Sequence, residues 1–404
     1  MYRVYTAEDR TPAGRTQARH PPLTNAHRPT SLTPCGCATS APQLVTPPDA
    51  MLGAHMRKPL LLSLVALSAL TLPALAGPAD YLPSDELHRT GLMKFWQLQV
   101  PLSPGQTVVD AYVVGDQMYV CTHDGYVFGI HAPTGAVRWV RQVTRLGYRT
   151  RRPVHEGERV IFSTPAELSA YERVFGDGVW RQSLPFSTVS APVLDVTPEG
   201  SFAYIAGSNA RIYSFRYEDW REVWKAGIKG PVVGGFVPFD GNLYFVTSHG
   251  YVYAVDPVQR DEVWEHTGSV NARVQAPVAV NDAGVFVADT NRRLTLFSRD
   301  LGTVVWRATF DGPLYHTPTL IDHAAYQYSP DEGLVAVDIK ATHDDNRFLW
   351  QLPRGRQIVT ADERRLFVLS TDEKLLVVDR ATGRVQHEVD APGLTLTDPQ
   401  LSET

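Results

Sequence analysis

A tryptophan returns about every forty residues along this chain, as Trp96, Trp139, Trp180, Trp224, Trp264, Trp306 and Trp350, and His387 takes the same slot once more. Subtracting neighbouring positions gives intervals of 43, 41, 44, 40, 42, 44 and 37 residues. A fixed period of this size marks a solenoid or propeller array, whose units bury their apolar faces by stacking on one another. That constraint outranks every local signal in the chain.

Each period holds four short runs with strand character. In the fourth unit these are VVGGFVP, NLYFVTS, YVYAVD and DEVWEHT, separated by turns at Phe239-Asp240-Gly241, Ser248-His249-Gly250 and Pro257–Arg260. Apolar and polar residues alternate within the runs, and nothing in 92–391 carries the 3.6-residue period of an amphipathic helix. Four-stranded units stacked radially make β-propeller blades, so the fold class is all-β. Gly125 and Gly250 stand where the second-to-third-strand turn needs a positive φ. Asp256, Asp338 and Asp379 end third strands, where a short carboxylate can cap turn amides. The repeating tryptophans are plates suited to the gaps between blades, a structural role.

Before the repeat the chain changes character. Residues 1–55 are rich in Pro, Thr, Ala and Arg without apolar periodicity, which reads as a disordered leader or an over-extended gene start. From Met56, "MRKPLLLSLVALSALTLPALAGPADY" supplies a basic start in Arg57 and Lys58, an apolar run, and Ala74-Leu75-Ala76 before Gly77. This is the pattern of a cleaved export signal over 56–76, too short to span a bilayer. Residues 77–91 form an extension, and 92–404 a single propeller domain. A net charge of -5 gives no basic face for nucleic acid. Cys35 and Cys37 precede the cleavage point, which leaves Cys121 alone and excludes an intrachain disulfide in the exported part.

"DGYVFGIHAPTGAVRW" and "HGYVYAVDPVQRDEVW" resemble the pyrroloquinoline-quinone-like propeller repeat, and no repeat tryptophan is followed by the Asp of a Trp-Asp propeller. The resemblance covers about 92–391. It implies one of two classes. Quinoprotein dehydrogenases hold the quinone and calcium in the central funnel, and several carry a vicinal Cys-Cys that is missing here. No Asp/Glu/Asn cluster suited to calcium stands out, so neither cofactor is expected. The other class is the BamB-like outer-membrane assembly factor type, which the chain resembles in location, size and bare blades. It departs from that type in two respects, lacking a lipid-attachment cysteine and the usual eight blades. The expected function is therefore an exported, non-catalytic scaffold, monomeric and periplasmic or envelope-associated, with secretion as the alternative location, that binds a protein partner in outer-membrane protein assembly. The alternative is a quinoprotein-type or glycan-acting enzyme with its ligand in the funnel.

Seven units are complete, and seven blades are favoured over eight. Trp96 stands ahead of the first unit, and we expect it to occupy or reinforce the outer edge of the last blade, where a chain-end strand would close the ring. Two groups of residues are candidates for binding. "TRLGYRTRRP" is the densest basic run, with Arg145, Tyr148, Arg149, Arg151 and Arg152 offered to an acidic partner. His316 and His323 flank one inner strand and are candidates for facing a funnel ligand.

Overall fold

The computed structural model describes residues 82–197, 200–258, 261–267, 272–341 and 347–394, with the backbone of one short strand, Val4–Thr6. The stretch over 56–76 expected to be an export signal, the remainder of residues 1–81 apart from that strand, and the tail beyond residue 394 lie outside the described residues. Seven four-stranded antiparallel sheets follow one another along the chain, each with its strands paired in sequence order. Blade one comprises Val108–Val114, Gln117–Thr122, Tyr126–His131 and Ala136–Gln142, and blade seven ends with Val385–Asp390. The architecture is a seven-bladed propeller.

The strands differ by position in the blade. The second strand of blade one is buried throughout, from Gln117 to Thr122, while its outer strand is exposed except at Trp139. Alternation therefore fails in the middle strands, because neighbouring blades cover both faces and the sequence there becomes nearly continuous in apolar residues. The inner strand of blade four is also shorter than its sequence suggests. It spans Val237–Phe239, with an isolated bridge from Val232 to Thr247. Gly234 and Gly235, at φ 72° and 117°, break the run. The turn chemistry is as expected: Gly125 and Gly250 both have φ 86°. The carboxylates of Asp256, Asp338 and Asp379 accept hydrogen bonds from the amides of Val258, Lys340 and Thr382 at 2.8–2.9 Å.

Each outer strand is kinked at the same place. The residue opposite the tryptophan slot is Gly129, Ala170, Ser214, Ala254, Leu296, Ala336 or Val377, and a register shift adjoins it in every blade. Such a bulge re-aims a side chain. Here it lays an indole across the third strand toward the next blade. A Cβ at Gly129 would overlap the Trp139 indole, which explains the small residues opposite. The indole N–H of Trp139 donates to the Arg173 carbonyl at 3.0 Å, that of Trp306 to Ile339 at 3.1 Å and that of Trp350 to Arg380 at 2.9 Å. Gly176 and Gly383, both at φ 70°, lie against the rings of Trp139 and Trp350. In blade three Trp220 occupies the glycine position at φ 54° and packs on Trp180 at 5.0 Å between centroids. Trp224 is half-buried beside Tyr204. Trp264 pairs with Ala254 through its backbone, and its side chain lies outside the described residues.

Ring closure differs from the expectation. Trp96 belongs to the interface between blades seven and one but packs on blade one, where its N–H donates to the Ala132 carbonyl at 2.7 Å and its ring covers Gly135. It thus repeats toward blade one the contact Trp350 makes with blade seven, while His387 in the vacant slot is exposed. Upstream, the helix Ser84–Thr90 and Leu92 pack on blade seven: Leu82, Leu87 and Leu92 are buried with Phe367, Leu375, Val377 and Val389. Leu92–Lys94 pairs only with Val4–Thr6 and not with a blade, so closure rests on side chains rather than on a shared sheet.

A second inter-blade device is invisible as a motif. Seven residues before the slot, Arg173, Arg299 and Arg380 reach back to the preceding blade's inner turn. Arg173 lies 4.0 Å from Asp116, Arg299 3.4 Å from Asp240, and Arg380 2.6 Å from Asp322. Each works beside a second-strand tyrosine of that preceding blade. Arg380 Nε donates to the Tyr326 hydroxyl at 3.2 Å, and Tyr119 and Tyr244 feel the charges of Arg173 and Arg299. Tyr217 substitutes in blade three, donating to Glu156 at 3.0 Å.

Trp96→Ala removes a half-buried indole and its hydrogen bond, and should lower the unfolding free energy by about 2–3 kcal/mol. His387→Ala should change it by under ~0.5 kcal/mol; urea midpoints of the two variants check the contrast. Burial, with Arg173 close by, holds His155 neutral in the folded state, lowering its pKa from 6.5 to about 4. The unfolded chain binds a proton near 6.5, so this residue's contribution is complete above that pH and is lost as pH falls toward 4. Midpoints at pH 7.5 and pH 4.5 should therefore differ less in His155→Gln than in the parent.

Candidate partner-binding face

The arginine-rich segment is the connection from blade one's outer strand to blade two's inner strand, Val154–Glu156. It lies against the second-to-third-strand turn of blade one. The amides of Val143 and Thr144 donate to the Gly125 carbonyl at 2.9 and 3.2 Å. A Cβ on Gly125 would collide with the Thr144 carbonyl, so that glycine is required twice, for its φ and for this approach. The turn itself is held from below. Gln106 Nε2 donates to Asp124 at 2.9 Å, the Thr122 hydroxyl donates to Asp124 at 2.5 Å, and the Thr107 amide donates to His123 Nδ1 at 3.2 Å. The Thr122 hydroxyl chiefly, then Gln106, hold the Asp124 carboxyl below the usual range. His249, in the matching turn of blade four, lies under Gly230.

The far end of the connection is fixed by different chemistry. Thr150 is buried, its hydroxyl donating to Cys121 Sγ at 3.2 Å, and the Arg151 amide donates to the Ser163 carbonyl at 2.9 Å. Burial pushes the Cys121 thiol up to about 12, so it stays protonated and serves as packing. Arg152 turns inward, donating to the Val113 carbonyl at 3.0 Å. Arg151 is half-buried, with its Nε enclosed.

Between these anchors stands an exposed apex: Arg145, Leu146, Gly147, Tyr148 and Arg149. Leu146 is 68% exposed and Tyr148 50%, high values for large apolar and aromatic groups. Gly147 at φ 88° makes the apex turn, closed by the Tyr148 amide on the Arg145 carbonyl at 3.1 Å. On the first strand of blade one, burial raises the Asp110 carboxyl against the lowering effect of Arg149 and then Arg151. The five residues expected to act together thus divide in two. Arg145, Tyr148 and Arg149 face solvent, whereas Arg151 and Arg152 root the loop. Leu146, overlooked in the sequence because a single leucine in a basic run carries no signal, is the most exposed apolar group of the face.

The two candidate histidines are separated. His316 precedes the inner strand Thr319–Ile321 and packs edge-on against Tyr328 at 5.3 Å, with burial and then Arg356 lowering its pKa. His323 follows that strand in the turn at its other end, where its carbonyl accepts from the Ile339 amide. Both are exposed, and the strand sets them on opposite faces. Among the described residues no three His, Cys, Asp or Glu side chains converge as metal ligands, and no helix is long and apolar enough to cross a membrane.

The family model described as outer membrane protein assembly factor BamB matches residues 89–226, 166–273 and 248–354. The outer membrane protein assembly factor BamB of Yersinia pestis is 20% identical over 254 residues, 57% of this chain and 64% of that protein. The match therefore spans a little under two thirds of this relative. The crystal structure of BamB from Moraxella catarrhalis superposes with a TM-score of 0.56 at 15% identity, covering 72% of this chain and 93% of that one. A computationally designed protein, Ika8, superposes at 0.59 with 10% identity, covering 74% and 91%. At these identities the structures speak for the fold.

Arg152→Ala should weaken the loop root and lower stability by about 1–2 kcal/mol. Arg149→Ala, at the solvent-facing apex, should stay within ~0.5 kcal/mol of the parent. Thermal unfolding of the two variants reads the difference.

Proposed function

Because the chain belongs to the outer membrane protein assembly factor BamB family, we propose that it is an exported, non-catalytic propeller serving as a binding scaffold in outer-membrane protein assembly. Its export would follow from the signal over residues 56–76. The observation that carries the binding role is the apex at Arg145–Arg149, which presents two arginines, an exposed leucine and an exposed tyrosine on a backbone pinned at both ends. A rigid base with a projecting apolar and cationic tip has little entropy to lose on docking. Arg and Tyr are the side chains enriched at interface centres. The partner this tip fits is a protein surface with an apolar recess rimmed by carboxylates, and steering by the two arginines makes association salt-dependent.

A photo-crosslinking amino acid replacing Tyr148 in living cells tests the reading. The expected product is a discrete crosslink to an outer-membrane assembly component, lost when Arg145 and Arg149 are both changed to Glu. Crosslinks indifferent to that charge reversal, or unchanged outer-membrane protein levels in cells lacking the chain, would remove the basis for the assignment.

A further inference from the structure

Four of the seven blades carry a tyrosine in the second strand at the clamp position: Tyr119, Tyr204, Tyr244 and Tyr326. Three of these face an arginine from the following blade, as Arg173, Arg299 and Arg380. The fourth, Tyr204, does not. Seven residues before Trp264, where the clamping arginine belongs, stands Pro257. A pocket of about 230 Å3 opens there, lined by Val193, Asp195, Pro238, Phe239, Asp240 and Pro257 among others. That is room for several waters at ~30 Å3 each.

The chemistry around this pocket remains that of a cation site. Tyr204 is 1% exposed and belongs to the same apolar cluster as Leu243 and Val193. It pairs across the sheet with Val193 and packs with Leu243, both of which line the pocket, and burial, then the charges of Asp195 and Asp256, hold its phenol protonated. Asp195 is half-buried and makes no ion pair among the described residues, whereas Asp240 on the opposite wall is paired with Arg299. Pro238, Phe239, Leu243 and Pro257 supply apolar walls suited to a methylene stem. A half-buried carboxylate without a counter-charge favours occupation by a cation that can also reach a hydrogen-bond acceptor.

We infer that the pocket between blades three and four binds the guanidinium of an arginine presented by a partner protein. Asp195 takes the charge, the Tyr204 hydroxyl accepts a hydrogen bond, and the prolines and Phe239 enclose the stem. The arginines of the other three interfaces show what group this arrangement accommodates. A guanidinium suits the site better than an ammonium because its planar fork can reach two acceptors at once. The pocket lies on the inner-turn side of the ring, opposite the arginine-rich apex, so it does not rest on that apex being a binding surface.

The test titrates N-acetyl-arginine N-methylamide into the full chain, with the norleucine analogue as an uncharged control. The readout is the Tyr204 ring resonances, assigned by their loss in Tyr204→Phe. The expected result is a saturable shift with the arginine probe alone, and an affinity at least about tenfold weaker in Asp195→Asn. Pro257→Arg supplies the side chain from within, and should abolish the response while raising the thermal midpoint. This variant keeps the test decisive should Asp195→Asn fold poorly. No Tyr204 response, a norleucine response of equal size, or a Pro257→Arg variant that still binds the probe would overturn the inference.

Discussion

The indole that crosses from one blade to the next sets the terms for the remaining structure. It must lie flat, so the residue opposite is small in most blades and the outer strand bulges beside it. Its N–H must find an acceptor away from water, so the following blade offers a turn carbonyl at a fixed place. The far face must be free of a side chain, so a left-handed glycine sits against the ring at Gly135, Gly176 and Gly383. Spacing near forty residues suits this arrangement, in which Trp96, Trp139, Trp306 and Trp350 each deliver an indole N–H to a carbonyl of the blade that follows. Coupling is between neighbours, as in a linear repeat, but the line is bent into a ring.

Where one partner of this arrangement changes, another changes with it. Trp220 replaces the glycine and meets Trp180 ring to ring. Phe286 stands where four of the blades have tyrosine, and its following blade offers Ile339 in place of an arginine. Tyr217 does with a phenol what its counterparts do with a guanidinium. Such paired exchanges keep each interface satisfied by its own chemistry. Tyr204 opposite Pro257 is the interface where only half of the exchange is present.

Legibility in the sequence follows the range of the interaction. The turn glycines and aspartate caps act within a few residues, so Gly125, Gly250 and Asp379 could be read directly. The tryptophans could be read because they recur. Arg173, Arg299 and Arg380 recur as well, but a loop arginine resembles any solvated charge until its preceding-blade partner is known. The same limit applies to the basic run at Arg145–Arg152, where composition shows five similar residues and only the contacts with Val113, Cys121 and Ser163 separate anchors from tip. His316 and His323 are close in sequence, yet a strand three residues long is enough to part them.

The segment from Leu82 to Val100 bridges the first and last blades through buried leucines and one indole. Its partners on blade seven, from Phe367 to Ala391, are almost the last residues of the propeller to be synthesised. A chain synthesised from its amino terminus therefore emerges with its clasp ready and nothing to fasten it to. Until the final blade arrives, the earlier ones form an open arc with apolar flanks, the state in which repeat proteins are most exposed to misassembly. Completion then depends on contacts of long sequence separation, which are slow to form.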